Sequence, residues 1–249
     1  MIETPTFWIV AVFAVALLGL SKGGFAGMGA LSLPVVAMIV SPVRAAAILL
    51  PILIVQDVVS VWAFRRDWDG YVLGWMLPGA AIGIALGYLF ASSVSPDAVL
   101  GLVGAVSILF GGYRLWVERH GAPQGTGGSP GWVGTIFGVA SGFTSQIAHA
   151  GQPPFQLWVL PRRLPRDVLV GTTAIFFAVV NWVKVPAYVA LGQFTRANLT
   201  VAAMLLPVAI VSTAAGVWLV RRVPAERFYR VIYVLMIAVG LKLVWDALV

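Results

Sequence analysis

The sequence predicts an all-α protein that crosses a membrane several times. Of its 249 residues, 60% are hydrophobic and only 10% are charged, whereas soluble domains carry about 25% charged residues. The apolar residues form runs of about 15 to 25, long enough to cross a hydrocarbon core of about 30 Å as helices. The chain also has no cysteine, which excludes disulfides and thiolate-bound metals.

Ten apolar runs follow one another along the chain, and we expect each to form a membrane helix or part of one. The first half supplies runs at residues 6–20, 26–41, 45–64, 71–91 and 98–117. The second half supplies runs at residues 131–147, 153–161, 167–191, 198–220 and 228–248. The short runs lie beside two breaks rich in glycine, proline and polar residues, at 21–29 and 145–154. These breaks predict broken or re-entrant helices.

The two halves are weakly similar, which indicates an internal repeat. Lys22 aligns with Gln146 at the same shift that aligns Asp57 with Asn181. A Gly-rich hydrophilic stretch separates the halves. We therefore predict a first transmembrane repeat, a cytoplasmic linker and a second transmembrane repeat, at residues 1–117, 118–130 and 131–249.

Arginine clusters orient the two halves, because Lys and Arg are enriched in cytoplasmic loops. The clusters lie at residues 65–66, 114–119, 162–166 and 221–230. If all four are inside, run 45–64 points inward and its counterpart 167–191 points outward. The repeats are then inverted, each with a broken or re-entrant helical hairpin plus three transmembrane helices, and both termini lie outside. The alternative is a pair of parallel repeats with four helices each.

Inverted repeats with discontinuous helices are a recurring plan among transporters, since half-helix ends place partial charges near the bilayer centre. Lys22 lies in the first break among glycines, and its ammonium beside helix N-termini suits an anion. The alternative is a lysine that snorkels to the membrane interface.

In the second break, Gln146, His149 and Gln152 recur every three residues, so they share one face if the stretch is helical. A polar face of this kind is costly in lipid and is expected to line a cavity. His149 could also carry a proton, since imidazole titrates near neutral pH. The alternative is a neutral histidine bonded to a backbone carbonyl.

Asp57 lies deep in run 45–64, and the matching part of the other half holds Asn181 and Lys184. Ionisable groups inside membrane segments are rare, so these positions give the sharpest functional signal. Asp57 and Lys184 could pair with each other, bind substrate or relay a proton; the structural alternative is an ion pair that joins the halves. Lys242 has no evident partner and is expected to snorkel.

Glycines spaced four apart form three stripes that predict close helix packing rather than function. They are Gly19, Gly23 and Gly27; Gly79, Gly83 and Gly87; and Gly134, Gly138 and Gly142. Common enzyme motifs such as H-E-x-x-H, the P-loop and G-x-S-x-G do not occur, and two histidines make a poor metal site. We therefore expect no enzymatic activity, no cofactor and no ATP-driven transport.

The two breaks resemble the paired glycine signature of the sulfite exporter TauE/SafE family, also called the TSUP superfamily. The first signature runs from Ser21 to Pro34, and the second from Gly142 to Pro154. The resemblance covers nearly the whole chain and implies secondary transport, often export, of sulfite, sulfonates or related sulfur-containing acids. The chain departs from the pattern where larger or polar side chains replace residues that are usually small, namely Lys22, Gln146, His149, Gln152 and Pro153.

The leading hypothesis is a carrier of small sulfur-containing anions in a bacterial-type inner membrane. Its predicted site combines Lys22, Asp57, Gln146, His149, Gln152, Asn181 and Lys184. The expected partners are a small anionic substrate and the lipid bilayer, with no nucleic acid, and Asp57 and His149 suggest proton coupling. An anion channel and a membrane scaffold, in which buried polar residues only satisfy one another, are the alternatives.

Overall fold

The computed structural model describes residues 4–25, 28–93, 95–121, 129–220, 222 and 226–249, and these ranges form a helical bundle with no strand. Its helices are α1 (Pro5–Lys22), α2 (Ser32–Ala37), α3 (Pro42–Phe64), α4 (Gly70–Ser93), α5 (Pro96–His120), α6 (Gly131–Ala148), α7 (Gln152–Val159), α8 (Arg166–Ala190), α9 (Arg196–Val220) and α10 (Glu226–Leu248). Most of the predicted linker lies outside the described residues, as do Arg221 and residues 223–225 of the last arginine cluster.

Six of the described helices are long and apolar enough to cross a membrane, namely α1, α3, α4, α5, α8 and α9. Each has at least 18 residues, or about 27 Å at 1.5 Å per residue. Large apolar side chains also face outward from the bundle, for example Trp62 and Trp182. The prediction of an all-α membrane protein that crosses the bilayer several times is therefore confirmed.

Both predicted breaks are present. In the first half, α1 stops at Gly23, Gly24 has a positive φ of 125°, and a 3-10 turn over Met28–Leu31 leads into α2. Gly27 lies outside the described residues. In the second half, α6 stops at Ala148 and His149 adopts the left-handed conformation with φ 50°. Prolines follow directly in the first turn of α7, where no helical N–H is lost.

Hydroxyl side chains near the breaks bind backbone carbonyls of neighbouring segments. Ser32 Oγ in α2 donates to Ala14 O in α1 at 2.8 Å. Ser141 Oγ in α6 donates to Gly151 O at 2.7 Å, just before α7. These bonds satisfy buried hydroxyl donors and tie each short helix to the long helix before it.

The glycine stripes bring helix backbones into contact, as predicted. A Cβ atom on Gly79 or Gly83 of α4 would overlap carbonyl oxygens of α6. A Cβ atom on Gly138 or Gly142 of α6 would overlap carbonyl oxygens of α4. Gly19 similarly lets α1 approach α9. These stripes therefore pack helices and do not line a site.

The packing pattern is nearly unchanged when the two halves are exchanged. Helix α1 packs on α9 and α6 packs on α4, while α3 packs on α8 and α5 packs on α10. Asp57 of α3 contacts Asn181 of α8, whereas Phe64 at the end of α3 lies against Gly171 near the start of α8. Helices α3 and α8 therefore run antiparallel. Inverted repeats require these two related helices to be antiparallel. The observed direction therefore supports the inverted relation, which stays a prediction.

Candidate functional site

A cavity of about 210 Å³ lies where the two breaks meet α3, α5 and α8. Both halves of the chain line it. Five of the seven predicted site residues are in its wall: Lys22, His149, Gln152, Asn181 and Lys184. Asp57 and Gln146 are not, and their positions are described below.

Lys22 and Asp57 form an ion pair beside the cavity. Lys22 is the last residue of α1, and its Nζ donates to Asp57 Oδ1. Asn181 Nδ2 donates to the other carboxylate oxygen at 2.6 Å. The side chain of Asp57 is 2% exposed and that of Lys22 is 13% exposed. Asp57 therefore lies behind Lys22 and Asn181, and it fixes both side chains rather than facing the cavity itself.

Lys22 is held inside the bundle and does not snorkel. Ser60 Oγ of α3 donates to the backbone oxygen of Lys22 at 3.0 Å, which ties the end of α1 to α3. The Lys22 ammonium also lies 5.4 Å from the ring centroid of Phe177, within cation–π range. These contacts hold a partly accessible positive charge in the cavity wall.

Lys184 occupies a second polar cluster, in which its side chain is fully buried. Its Nζ donates to the backbone O of Ser145 at 3.3 Å and to Ser145 Oγ at 3.2 Å. The same Nζ lies 2.8 Å from His149 Nδ1. Three acceptors thus surround the three N–H groups of one ammonium.

The hydrogen bonds of His149 define its tautomer. Its Nε2 lies 3.1 Å from Ala46 O, and a carbonyl can only accept, so Nε2 donates. In a neutral ring Nδ1 is then an acceptor, as the ammonium of Lys184 requires. The interpretation of a neutral histidine bonded to a backbone carbonyl therefore fits this geometry. The ring also stacks on Tyr188, with centroids 6.2 Å apart.

The expected common face of Gln146, His149 and Gln152 is not formed. That expectation required a continuous helix, whereas the chain leaves α6 at Ala148. Gln146 is buried and points toward Gly87 of α4, away from the cavity. His149 and Gln152 follow the turn and line the cavity.

Of the possibilities left open for Asp57 and Lys184, a direct ion pair between them is not formed. Asp57 pairs with Lys22 in its own half, because the end of α1 reaches α3 at this level, and Lys184 is bound by Ser145 and His149. At this point the two halves are linked by the hydrogen bond from Asn181 to Asp57. Lys242, expected to snorkel without a partner, is an exposed lysine paired with Asp246 at 2.6 Å.

Residues 11–243 match the sulfite exporter TauE/SafE family. The chain belongs to this family. It is also 29% identical over 176 residues to the probable inner membrane transporter protein TsaS of Comamonas testosteroni, an alignment that covers 69% of this chain and 70% of that protein. No solved structure shows a significant match. This member of the TauE/SafE family is therefore a multi-pass membrane transporter and not an enzyme.

Two cavity residues of this TauE/SafE transporter were not predicted from sequence. Arg114 of α5 lines the cavity, although its position near a helix end indicated only a topology role. Gln156 of α7 lines it too, one helical turn after Gln152. The spacing of Gln152 and Gln156 was the available signal, since both must face one side of a helix.

The charge of the cavity is positive. Lys22, Arg114 and Lys184 line it, and Asp57 behind the wall is the one carboxylate paired with any of them among the described residues. When each side chain is counted in its ordinary charged form, three cations against one carboxylate give a formal net charge of +2. A positive cavity surrounded by apolar helices attracts anions strongly, because the low dielectric screens the field little.

Proposed function

We propose that this protein is a secondary transporter of small sulfur-containing anions, with its anion site in the cavity between the two breaks. The observation that carries the proposal is the excess of buried and half-buried cations in that wall. The amides of Asn181 and Gln152 add donors beside them. A sulfonate or sulfite group presents three oxygens, which several converging donors can bind at once.

The size and lining of the cavity favour an organosulfonate over sulfite itself. A water occupies about 30 Å³ of liquid, so a cavity of about 210 Å³ exceeds the volume of an anion with four heavy atoms. Leu18, Leu53 and Phe177 form an apolar part of the wall. That part suits a short carbon chain attached to the acidic group.

The arrangement favours a carrier over a channel. One end of the cavity reaches Leu160 and Leu169, which flank the arginine-rich loop at 162–166. At His149 the cavity wall continues into stacked rings, with His149 on Tyr188 and Tyr188 on Phe194. We infer that these rings close that end of the cavity, and a site open at one end suits alternating access. If the arginine-rich loop is cytoplasmic, this conformation faces inward and loads from the cytoplasm, as an inner-membrane exporter requires. The same orientation places both termini outside.

The test is saturable counterflow of labelled ethanesulfonate in proteoliposomes. We expect Lys22→Met to lose transport at least about tenfold, since it removes a cation that faces the cavity. The matched control is Lys242→Met, which removes an exposed lysine far from the cavity. Equal transport by wild type and a folded Lys22→Met protein, or no transport of either ethanesulfonate or sulfite, would overturn the proposal.

We also propose that transport is coupled to protons through His149 and Lys184. We assign one excess proton to the pair and place it on the lysine, because Lys184 Nζ faces three acceptors. A second proton at His149 Nδ1 would place two cations face to face, break their contact and free Lys184 to bind an anion. Besides Lys184, two ionisable groups lie near His149. They are Tyr188, which is on α8 as Lys184 is, and Lys22 at the end of α1. A proton and an anion would then bind together, so net export would require an outward anion gradient large enough to exceed any inward proton gradient.

Proton coupling is tested with His149→Gln. Glutamine can accept from Lys184 and donate to Ala46 O, but it cannot titrate near neutral pH. We expect an imposed pH gradient to stimulate wild-type transport and to leave His149→Gln unaffected. His120→Gln is the control, since His120 is exposed at the end of α5. The same stimulation in His149→Gln as in wild type would exclude His149 as the coupling residue.

A further inference from the structure

We propose that Arg114 forms a second anion-binding point in the cavity, distinct from the Lys22 and Lys184 point. Its ligand is an acidic oxyanion group, either a second acidic group on the transported anion or a second small anion. The inference rests on the proposed function, because it assumes that the cavity is the anion pathway. It adds a specificity-determining residue that the sequence pattern did not indicate.

The Arg114 guanidinium is held rigidly by two partners from the other half of the chain. Its Nε donates to Tyr233 Oη at 2.9 Å and its Nη1 donates to Gln156 Oε1 at 3.1 Å. It also lies 5.1 Å from the ring centroid of Tyr233, which is fully buried. A guanidinium fixed in this way loses little further entropy when it binds a ligand.

Part of this guanidinium remains available. Within the described part of the chain, Nη2 has no hydrogen-bond partner and no carboxylate lies within ion-pair distance of Arg114. Arg114 is only half-buried and lines the cavity. Arginine binds oxyanions through paired N–H groups. A half-buried arginine that lines a cavity among membrane-spanning helices, with no ion-pair partner in the described part of the chain, therefore points to an anionic ligand.

The two cationic points lie at different levels of the cavity. Lys184 contacts His149 at the break itself, whereas Arg114 contacts Gln156 on α7. Gln156 follows Gln152 by four residues, or about 6 Å along the helix. Two points at different levels suit two acidic groups better than one compact group such as sulfite. A molecule with two acidic groups on a short carbon spacer can contact both.

Charge balance favours the same conclusion. A monoanion leaves one of the two excess positive charges in the cavity without a counter-ion, and an uncompensated charge in a low-dielectric region is unfavourable. A dianion, or two monoanions, neutralises both. Arg119 serves as the comparison within α5, because it is exposed and does not line the cavity.

The experiment measures binding of propanesulfonate and 3-sulfopropanoate to the purified full-length protein in detergent by isothermal titration. These probes share a sulfonate and differ by one carboxylate. We expect wild type to bind 3-sulfopropanoate at least about tenfold more tightly, as one charge-assisted pair provides. Arg114→Gln should reduce this preference to within about twofold, whereas Arg114→Lys should keep part of it and Arg119→Gln all of it.

The outcomes separate the two sources of the second acidic group. If both probes bind wild type equally, but two propanesulfonates bind per protein and Arg114→Gln reduces this to one, the second point binds a separate anion. Unchanged preference and unchanged stoichiometry in Arg114→Gln would overturn the inference. So would a wild type that binds a single propanesulfonate with no preference for 3-sulfopropanoate, even while sulfonate transport proceeds. If wild type neither binds nor transports any sulfonate, the proposed function itself fails.

Discussion

Replacing Asp57 with asparagine tests whether the buried carboxylate is the counter-ion that holds Lys22 in place. The substitution keeps the size of the side chain and its ability to accept from Asn181. It removes the negative charge that faces the Lys22 ammonium, and Asp57 is only 2% exposed. The ammonium then remains in the cavity wall without a counter-ion.

The expected cost follows from that burial. Removing one partner of a buried ion pair costs about 3–5 kcal/mol, and the partial exposure of Lys22 places this site near the lower end. A chain of this length loses about 2–4 °C in melting temperature per kcal/mol, so we expect a decrease of about 6–12 °C. Adding Lys22→Met removes the stranded charge. The double variant should therefore be more stable than Asp57→Asn alone.

The assay is thermal unfolding in detergent, followed by tryptophan fluorescence, for wild type, both single variants and the double variant. We expect a coupling energy of about 1–3 kcal/mol between the two positions. The single effects would add to within about 0.5 kcal/mol if the residues did not interact. Additive effects of that kind would refute the ion pair. They would also refute the conclusion that Asp57 fixes the Lys22 side chain in the cavity wall.

Three further predictions concern packing and an exposed ion pair. Gly138→Leu should destabilise the protein by about 3 kcal/mol or more, because its side chain would overlap Met76 O of α4; unchanged thermal stability would contradict the close packing of α4 and α6. Gly112→Ala has open space and should be neutral or stabilising by up to about 1 kcal/mol, so a clear loss would show an unrecognised contact. Lys242→Met removes an exposed pair worth about 0.2–1 kcal/mol, and a larger decrease in melting temperature would contradict its exposed position.

The fold could be predicted largely from sequence because membrane helices follow from local composition. Each long apolar run became a helix within a few residues of the predicted ends. Glycines and prolines marked both breaks, since these residues end helices wherever they cluster. The predicted repeat order also matches the packing pattern, because repeat-related segments meet equivalent neighbours.

The site could be predicted only in part, because its pairings depend on three-dimensional contacts between helices. The sequence comparison placed Asp57 opposite Asn181 and Lys184, but not beside Lys22, which reaches α3 from the end of another helix. Gln146 and His149 face different sides because α6 ends between them and His149 takes a left-handed conformation, which no local pattern indicated. Arg114 was not predicted, because an arginine near the cytoplasmic end of a helix is as typical of a topology signal as of a binding site.

The most direct test of the anion site uses single cysteines, since the natural chain has none. Thr173→Cys places one thiol in the cavity wall, and Arg66→Cys places one in the exposed loop between α3 and α4. The measurement is the rate of thiol labelling at increasing ethanesulfonate concentration. The account predicts that ethanesulfonate slows labelling of Thr173→Cys, with half-protection near the transport KM, and leaves Arg66→Cys unchanged. Labelling of Thr173→Cys that stays equally fast at saturating ethanesulfonate, in protein that still transports it, would place the anion pathway elsewhere.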